Sequence, residues 1–427
     1  MHGAARSGRG GEALAWALAG AWAASIFAAI PLARSIEHAV RDALGQRAFG
    51  WLAIGAVLAA TAAALTVIGR SRGATASPRD AHSPRAAVRA AWLFAVAAAF
   101  AFATASLWSN PEEAMHFVQY GVLSLLLQRA VAFRLPDASS YFVAALAGAL
   151  VGCADEAVQW VVPGRYFGLR DIAINAFAAS LVQVGLAMGI RPAGVARTTS
   201  RAGRRVALRI ALALWAALLA FALNTPARVA VWAPRLPGLA FLATNESTMM
   251  EYGHRYDAPD IGVFRSRLAP EELAREDATR AAAGAALLDA YRDAYGDFLV
   301  DVPPQRDPFV HELRVHLFRR DRYLEFWRAQ TGGSPEQVEE RRKLATVAAR
   351  EDRLVRRFFA RTFAASGYAL PPDVAARVAR DELPGLDYES TVSRDLVTSV
   401  GEGELLAVFA LALVALLTAL LSQRESG

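Results

Sequence analysis

Lysine and cysteine are almost missing from this chain of 427 residues, which has one of each, Lys343 and Cys153. A single cysteine excludes an intrachain disulfide and a thiolate metal cluster. Cys153 lies inside an apolar run, where a thiol acts as a small buried filler rather than a nucleophile. With one lysine among 46 basic residues, arginine carries nearly all of the positive charge. A glycine-rich phosphate loop, a nucleophile-elbow serine and an internal repeat of useful period are also missing, which argues against an ATP-driven machine.

Apolar sequence, by contrast, is plentiful. The chain is 55% hydrophobic with a mean hydropathy of +0.26, above a soluble globular protein and below a pure transporter core. Several membrane spans plus one water-soluble segment account for that mixture. The abundance of alanine and arginine fits a GC-rich bacterial genome. The net charge of +6 is read as membrane topology. Nucleic acid is not expected as a partner, because no soluble basic face stands out.

A span needs about 20 apolar residues to cross about 30 Å of hydrocarbon. Eight runs qualify: 13–33, 50–69, 89–108, 114–133, 140–162, 171–190, 206–224 and 403–422. The first follows Arg6 and Arg9 and has the flanks of a signal peptide, but its length favours a retained span. Arginines gather at Arg6 and Arg9, at Arg70 to Arg89, at Arg129 and Arg134, and at Arg191 to Arg205, all on one side if every run crosses. The other side holds Arg34, Arg41, Arg47, Arg165 and Arg170, and the loop SNPEE has no basic residue. The positive-inside rule then puts both termini in the cytoplasm of a multi-pass cell-membrane protein. The expected fold is all-α: a polytopic transmembrane bundle of about eight spans, with a mostly helical extracytoplasmic domain inserted before the last. The expected parts are 1–86, with two spans and a cytoplasmic loop; 87–191, a membrane core; 192–224, a basic loop and the seventh span; 225–402, the outer domain; and 403–427, the last span and tail. ARSIEHAVRDALGQ, with Ile36, Val40 and Leu44 four apart, reads as a helix lying on the membrane surface.

The stretch GALVGCADEAVQWVVPGRYFGLRDIAIN places Asp155, Glu156, Gln159, Arg165, Asp171 and Asn175 within and between two apolar runs. Glu156 and Gln159 are three apart and Asp155 and Gln159 four apart, so each pair shares a helix face. Pro163 and Gly164 break the helix, and Asp171 and Asn175 open the next, Asp171 as an N-cap or first-turn acid. In the preceding run His116, Gln119 and Tyr120 share a face at the same outer end. Ionisable groups at membrane depth face a bundle interior or a wet cavity and mark functional sites by default. A polar network pinning three helices together, with Arg165 neutralising a carboxylate, is the structural alternative.

The pattern His116…Tyr120, Asp155-Glu156…Gln159…Pro163-Gly164-Arg165 and Asp171…Asn175 resembles the VanZ-like membrane proteins over residues 88–190. The resemblance implies a bacterial envelope protein, and the name-giving member is associated with reduced sensitivity to the glycopeptide antibiotic teicoplanin. It carries no settled reaction. Where such proteins continue with small glycines, this chain has Phe177, Ala178 and Ala179, which implies looser helix packing there.

Residues 225–402 read as mostly helical. LAPEELAREDATRAAAGAALLDAYRDAYG has Pro270 near a helix start and Gly296 past its end. SPEQVEERRKLATVAAREDRLVRRFFARTFAASG opens with a capping box, Ser334 and Gln337, and ends at Gly367. PPDVAARVARDELPG reads as a short helix stopped by Pro384. HELRVHLFRRDRYLEFW fits either a helix or a strand. Its His311 and His316 are five apart, not the four of a zinc-protease helix, so no metal is expected there, and no cofactor anywhere.

Two functions follow. In the first, the membrane cluster acts on a lipid-linked or cell-wall precursor. His116 is the acid/base with Asp155 or Glu156 as its proton partner, and Tyr120, Gln159, Arg165, Asp171 and Asn175 hold the substrate. In the second, the cluster is not catalytic and the 225–402 domain engages an envelope protein partner. An ion-coupled transporter would want its polar residues deeper in the bilayer.

Overall fold

A computed structural model describes residues 2–45, 47–74, 86–108, 110–163, 165–244, 248–394, 397–398 and 400–425. Gly164 of the sequence pattern and Arg79 and Arg85 of the basic loop lie outside the described residues. The chain is an all-α polytopic helix bundle with a mostly helical insertion, and packing divides it into two units: Met1–Ala220 with Val408–Gly427, and Phe221–Ala407.

In the first unit the helices are α1 (His2–Ala29), α2 (Ala33–Leu44), α3 (Ala48–Ala74), α4 (Ala86–Ser106), α5 (Met115–Ala132), α6 (Ser139–Val161), α7 (Leu169–Val184) and α8 (Arg201–Leu223). A 3₁₀ turn containing Pro31 separates α1 from α2, and α2 buries none of its side chains. Seven helical stretches are long and apolar enough to cross a membrane: Gly10–Leu44, Ala48–Arg70, Ala86–Ser106, Ser139–Val161, Leu169–Ile190, Arg201–Leu223 and Glu402–Gln423. The expected fourth run is present as α5, but it is only 18 residues long and falls outside that set. The reason is its polar content. Besides His116, Gln119 and Tyr120 it carries Gln128 and Arg129. A helix packed against α1, α3, α6 and α7 need not be apolar all round, because its neighbours rather than lipid cover much of it.

The α5–α6–α7 group is tightly joined. Ser124 Oγ donates to the Ala179 carbonyl at 2.8 Å, and Gln183 Nε2 donates to Ser124 Oγ at 2.7 Å. Gly148 and Gly152 let α6 approach α7: a Cβ at Gly148 would stand 2.9 Å from Ala179 Cβ, and one at Gly152 would stand 3.0 Å from Asn175 Cβ. Ala178 and Ala179 are fully buried. Packing where the glycine pattern is broken is therefore close, not loose, because the small residues sit on α6 instead. At the end where α7 finishes, Arg89 Nε donates to the Gly189 carbonyl at 2.8 Å, and the segments 136–138 and 196–198 pair through Ala196 N to Pro136 O at 2.9 Å.

The second unit contains α9 (Pro226–Trp232), an antiparallel hairpin β1 (His254–Ala258) and β2 (Gly262–Ser266), then α10 (Pro270–Ala290), α11 (Tyr295–Asp301), α12 (Pro308–Ala329), α13 (Pro335–Phe358), α14 (Ala360–Ala365) and α15 (Pro372–Asp381). The last helix, α16 (Glu402–Glu425), begins in this unit and returns to the first, where Trp215 Nε1 of α8 donates to its Phe409 carbonyl at 2.9 Å. The core gathers Phe264 from the hairpin, Phe298, Phe309, Leu313 and Leu317, with Leu354 and Phe359. The capping box at Ser334 and Gln337 forms as the spacing predicts. HELRVHLFRRDRYLEFW is helical, within α12, and the Asp307 side chain caps its start by accepting from Val310 N at 3.1 Å. Two expected ends move. The first helix stops at Ala290, so Gly296 lies inside α11, and the long 335–366 run breaks at Phe359, whose φ of −122° and ψ of 35° leave the helical region.

Candidate functional site

The sequence-predicted cluster forms where α5 begins, α6 ends and α7 begins. Tyr120, Asp155, Glu156, Gln159 and Asn175 are buried, and His116, Arg165 and Asp171 are partly covered. Tyr120 is held across the α5–α6 contact: its hydroxyl donates to Asp155 Oδ2 at 2.9 Å. His116, one turn earlier on α5, stacks on the Tyr120 ring with centroids 6.3 Å apart and planes 20° from parallel.

A second chain of bonds runs along the end of α6. Gln159 Nε2 donates to Glu156 Oε1 at 2.9 Å, and Arg165 Nη2 donates to Gln159 Oε1 at 2.7 Å. Glu156 Oε2 accepts from the Gly168 backbone N–H at 2.9 Å, which ties the turn after α6 back onto the helix. Among the described residues Arg165 makes no direct ion pair, so any neutralisation of Asp155 or Glu156, as in the structural alternative, acts through space rather than through contact. The amide of Gln159 stands between it and Glu156, because six residues of turn bring the guanidinium to the outer edge of the helix end rather than onto its face. Asp171 is a first-turn acid of α7, whose N-cap is Gly168 and makes no side-chain cap.

Several buried polar atoms here have no hydrogen-bond partner: Asp155 Oδ1, His116 Nδ1, Arg165 Nε and both side-chain amide atoms of Asn175. Such groups lose about 1–3 kcal/mol each unless water or a ligand meets them. Three of these side chains come from the three helices and the fourth, Arg165, from the turn between α6 and α7, and all lie at the same end of the bundle. That arrangement can receive a hydrogen-bonding molecule and pass a proton between an imidazole and a carboxyl group. Among the described residues no three His, Cys, Asp or Glu side chains converge closely enough to ligate a metal.

The rim of this end is aromatic and cationic. Trp51 and Trp108 meet edge to face at 5.4 Å, the Arg47 guanidinium lies over Trp108 at 5.8 Å, and the Arg34 guanidinium lies over Tyr166 at 5.9 Å. Tryptophan, tyrosine and arginine at a helix-bundle end are the residues that favour a headgroup region. An ion pair between Arg170 and Glu113, at 3.4 Å, links the start of α7 to the turn before α5. Neither this pair nor the Gly168 N–H was singled out in the sequence, where a backbone donor has no signature.

The second unit holds a different buried network. His316 Nδ1 lies 2.6 Å from Glu351 Oε2, and both residues are fully buried. Glu351 Oε1 accepts from Tyr388 at 2.5 Å and Ser390 at 2.7 Å, and Arg319 Nε stands 3.1 Å away. Burial pushes the Glu351 carboxyl up, but His316 and the hydrogen bonds from Tyr388 and Ser390 outweigh it and hold it below its ordinary value. One turn before His316, Glu312 accepts from Ser266 Oγ at 2.5 Å and Arg267 N at 2.7 Å, and burial raises its carboxyl. His311 turns elsewhere: its Nδ1 is 2.7 Å from the Val302 carbonyl, and burial pushes the imidazole down to about 4. The two histidines thus share no ligand position. Glu351 and Tyr388 were missed in the sequence. A signal for Glu351 existed, since it falls between Val347 and Leu354 on the apolar register of α13.

No protein-family model matches the chain, no curated protein matches it, and no solved structure matches its fold. The resemblance to VanZ-like proteins rests on the spacing of the residues quoted above.

Proposed function

We propose that this chain is a VanZ-like bacterial envelope protein whose α5–α7 cluster receives an amphiphilic cell-wall or lipid-linked precursor at the outer membrane face. His116 exchanges a proton with the substrate, and Asp155 or Glu156 is its proton partner. Arg165 takes an anionic group, and Tyr120, Gln159, Asp171 and Asn175 position the rest. The observation that carries this reading is the set of unpartnered buried polar atoms on His116, Asp155, Arg165 and Asn175, which a ligand's hydrogen-bonding groups would satisfy. The Trp51, Trp108 and Arg47 rim supports a substrate with a headgroup in the interface. By kinship of pattern, the phenotype is altered sensitivity to glycopeptide antibiotics of the teicoplanin type. The test is His116→Ala, Asp155→Asn and Arg165→Gln, each scored for envelope-antibiotic sensitivity at matched protein level. Loss in all three is expected, and an unchanged phenotype with normal His116→Ala protein rejects the catalytic role.

A second reading has an observation of its own. The Phe221–Ala407 unit has its own core and a cavity of about 400 Å³ where Arg292, Arg314, Tyr295 and Tyr368 meet Asp321. We infer that this charged and aromatic cavity receives a side chain or terminus of an envelope protein partner. Deleting 235–395 separates the two: loss of phenotype with the cluster intact favours the partner, and retention favours the cluster.

A further inference from the structure

The end of the bundle remote from the polar cluster has a cavity that the reading above does not use. It lies between the start of α6, the end of α7 and the segment 191–197, with a volume of about 710 Å³. One flank is apolar: Phe142, Ala145, Val184 and Met188 line it, and Phe142 is 62% exposed. The rim is basic, formed by Arg191 and Arg197. No carboxylate lines the cavity, and among the described residues neither arginine makes an ion pair.

Two further features point to an occupant. Gln183 is 4% exposed and lines the cavity, and its Oε1 has no hydrogen-bond partner although its Nε2 is fixed on Ser124. Arg191 adopts a left-handed backbone, φ 53° and ψ 72°, a conformation strained for a side-chain-bearing residue. That turn leads into the residues up to Arg197 that line the cavity, and Arg191 Nε is braced on the Met188 carbonyl at 3.2 Å. Tyr141 supplies a hydroxyl on the same wall.

We propose that this cavity binds one anionic glycerophospholipid. The phosphate sits between Arg191 and Arg197, a water held by an ester carbonyl of the lipid donates to Gln183 Oε1, and one acyl chain follows Phe142, Ala145 and Val184. Charge complementarity selects the occupant: two guanidinium groups with no facing carboxylate favour a net-anionic phosphodiester lipid over a zwitterionic one, whose cationic group would meet like charge. The apolar flank distinguishes a lipid from free phosphate, which has nothing to place against Phe142. The volume falls within the usual range of about 300–1,000 Å³ for ligand pockets.

The test uses the full chain purified in a neutral detergent and analysed by native mass spectrometry with added phosphatidylglycerol, phosphatidylcholine or inorganic phosphate. The wild type is expected to retain phosphatidylglycerol over phosphatidylcholine by at least about ten-fold, following the usual gain for two surface arginines. Arg197→Gln, on an exposed segment, lowers that preference about five-fold. Arg191→Asn, which tolerates the left-handed backbone, combined with Arg197→Gln removes it. Ala145→Phe leaves both charges but obstructs the apolar flank, and it is expected to lose the lipid as well. Equal retention of the two lipids by the wild type overturns the proposal. So does undiminished preference in the double variant, or displacement of the lipid by millimolar inorganic phosphate. Because none of these residues touches the α5–α7 cluster near His116, failure here leaves the function proposed above untouched, and the reverse.

Discussion

Tyr120 and Asp155 show what a single side chain does at membrane depth. The Tyr120 hydroxyl donates to Asp155 Oδ2, and among the described residues Asp155 Oδ1 has no hydrogen-bond partner. Tyr120→Phe removes one donor from a buried carboxyl group, a loss of about 1–3 kcal/mol. Thermal unfolding of the purified protein should fall by several degrees. Asp155→Asn keeps the acceptor for Tyr120 and nearly the same shape, so protein level should hold while the envelope phenotype is lost. Equal damage from both variants would mean that the pair is structural only. His311, in the second unit, has a pH dependence with a definite sign. Burial lowers its folded pKa to about 4 from the ordinary 6.5, so the unfolded chain takes up the proton first. Stability from this group is complete above about 6.5 and drains away as pH falls toward 4, by about 3 kcal/mol in all. Glu351, held low, adds a loss in the same direction as pH falls through its folded value, whereas Glu312, held high, opposes it. Chemical unfolding of the full chain between pH 7 and 4.5 should therefore show a slope that His311→Gln reduces by about one proton; an unchanged slope would remove His311 from the account.

Helix elements explain which parts of the fold were legible. Runs of apolar residues at membrane length, the Ser334–Gln337 capping box, and prolines at the starts of α10 and α13 are local signals, and the structure places helices on all of them. The break at Phe359 and the stop at Ala290 were not legible, because neither position carries a glycine or proline. Their causes lie in packing: Phe359 is buried against Phe309, with ring centroids 5.5 Å apart, and Asp277 of α10 accepts the backbone N–H groups of Arg361 and Thr362 at 2.9 Å, which opens α14. In the candidate site the residue types and their shared end were readable from helical spacing. The Gln159 bridge between Arg165 and Glu156, and the Gly168 N–H, required the actual turn. The α6–α7 contact supports a prediction of its own. A side chain at Gly148 must displace Ala179, so Gly148→Val should separate the two helices and destabilise the bundle by about 1–3 kcal/mol. Because Gly152 and Asn175 lie one turn further along the same seam, that substitution should also reduce the envelope phenotype. Ser334→Ala, at the exposed cap of α13, should cost only about 1 kcal/mol and leave the phenotype intact. Thermal unfolding with a phenotype assay on the same strains separates the two effects.

At the scale of the whole molecule, the open quantity is which way the helices cross, and arginine placement makes it testable. The end that holds Arg89, Arg191 and the start of α8 is the basic one, and the end that holds His116 and Arg165 carries the Trp51–Trp108 pair. The positive-inside rule predicts a cytoplasmic position for the first and an exterior one for the second, and, as a separate expectation from the order of spans, an exterior one for the 225–402 segment. The single cysteine makes a clean measurement possible, because Cys153 is buried and should not react with a membrane-impermeant maleimide in intact cells. In a Cys153→Ser background, Gly333→Cys, in the exposed turn before α13, should label in intact cells. Gly194→Cys, in the exposed segment after α7, should label only after the membrane is opened. Labelling of Gly194→Cys in intact cells with Gly333→Cys silent would invert the protein. The polar cluster would then face the cytoplasm, and its proposed substrate would have to be met at the inner face of the membrane.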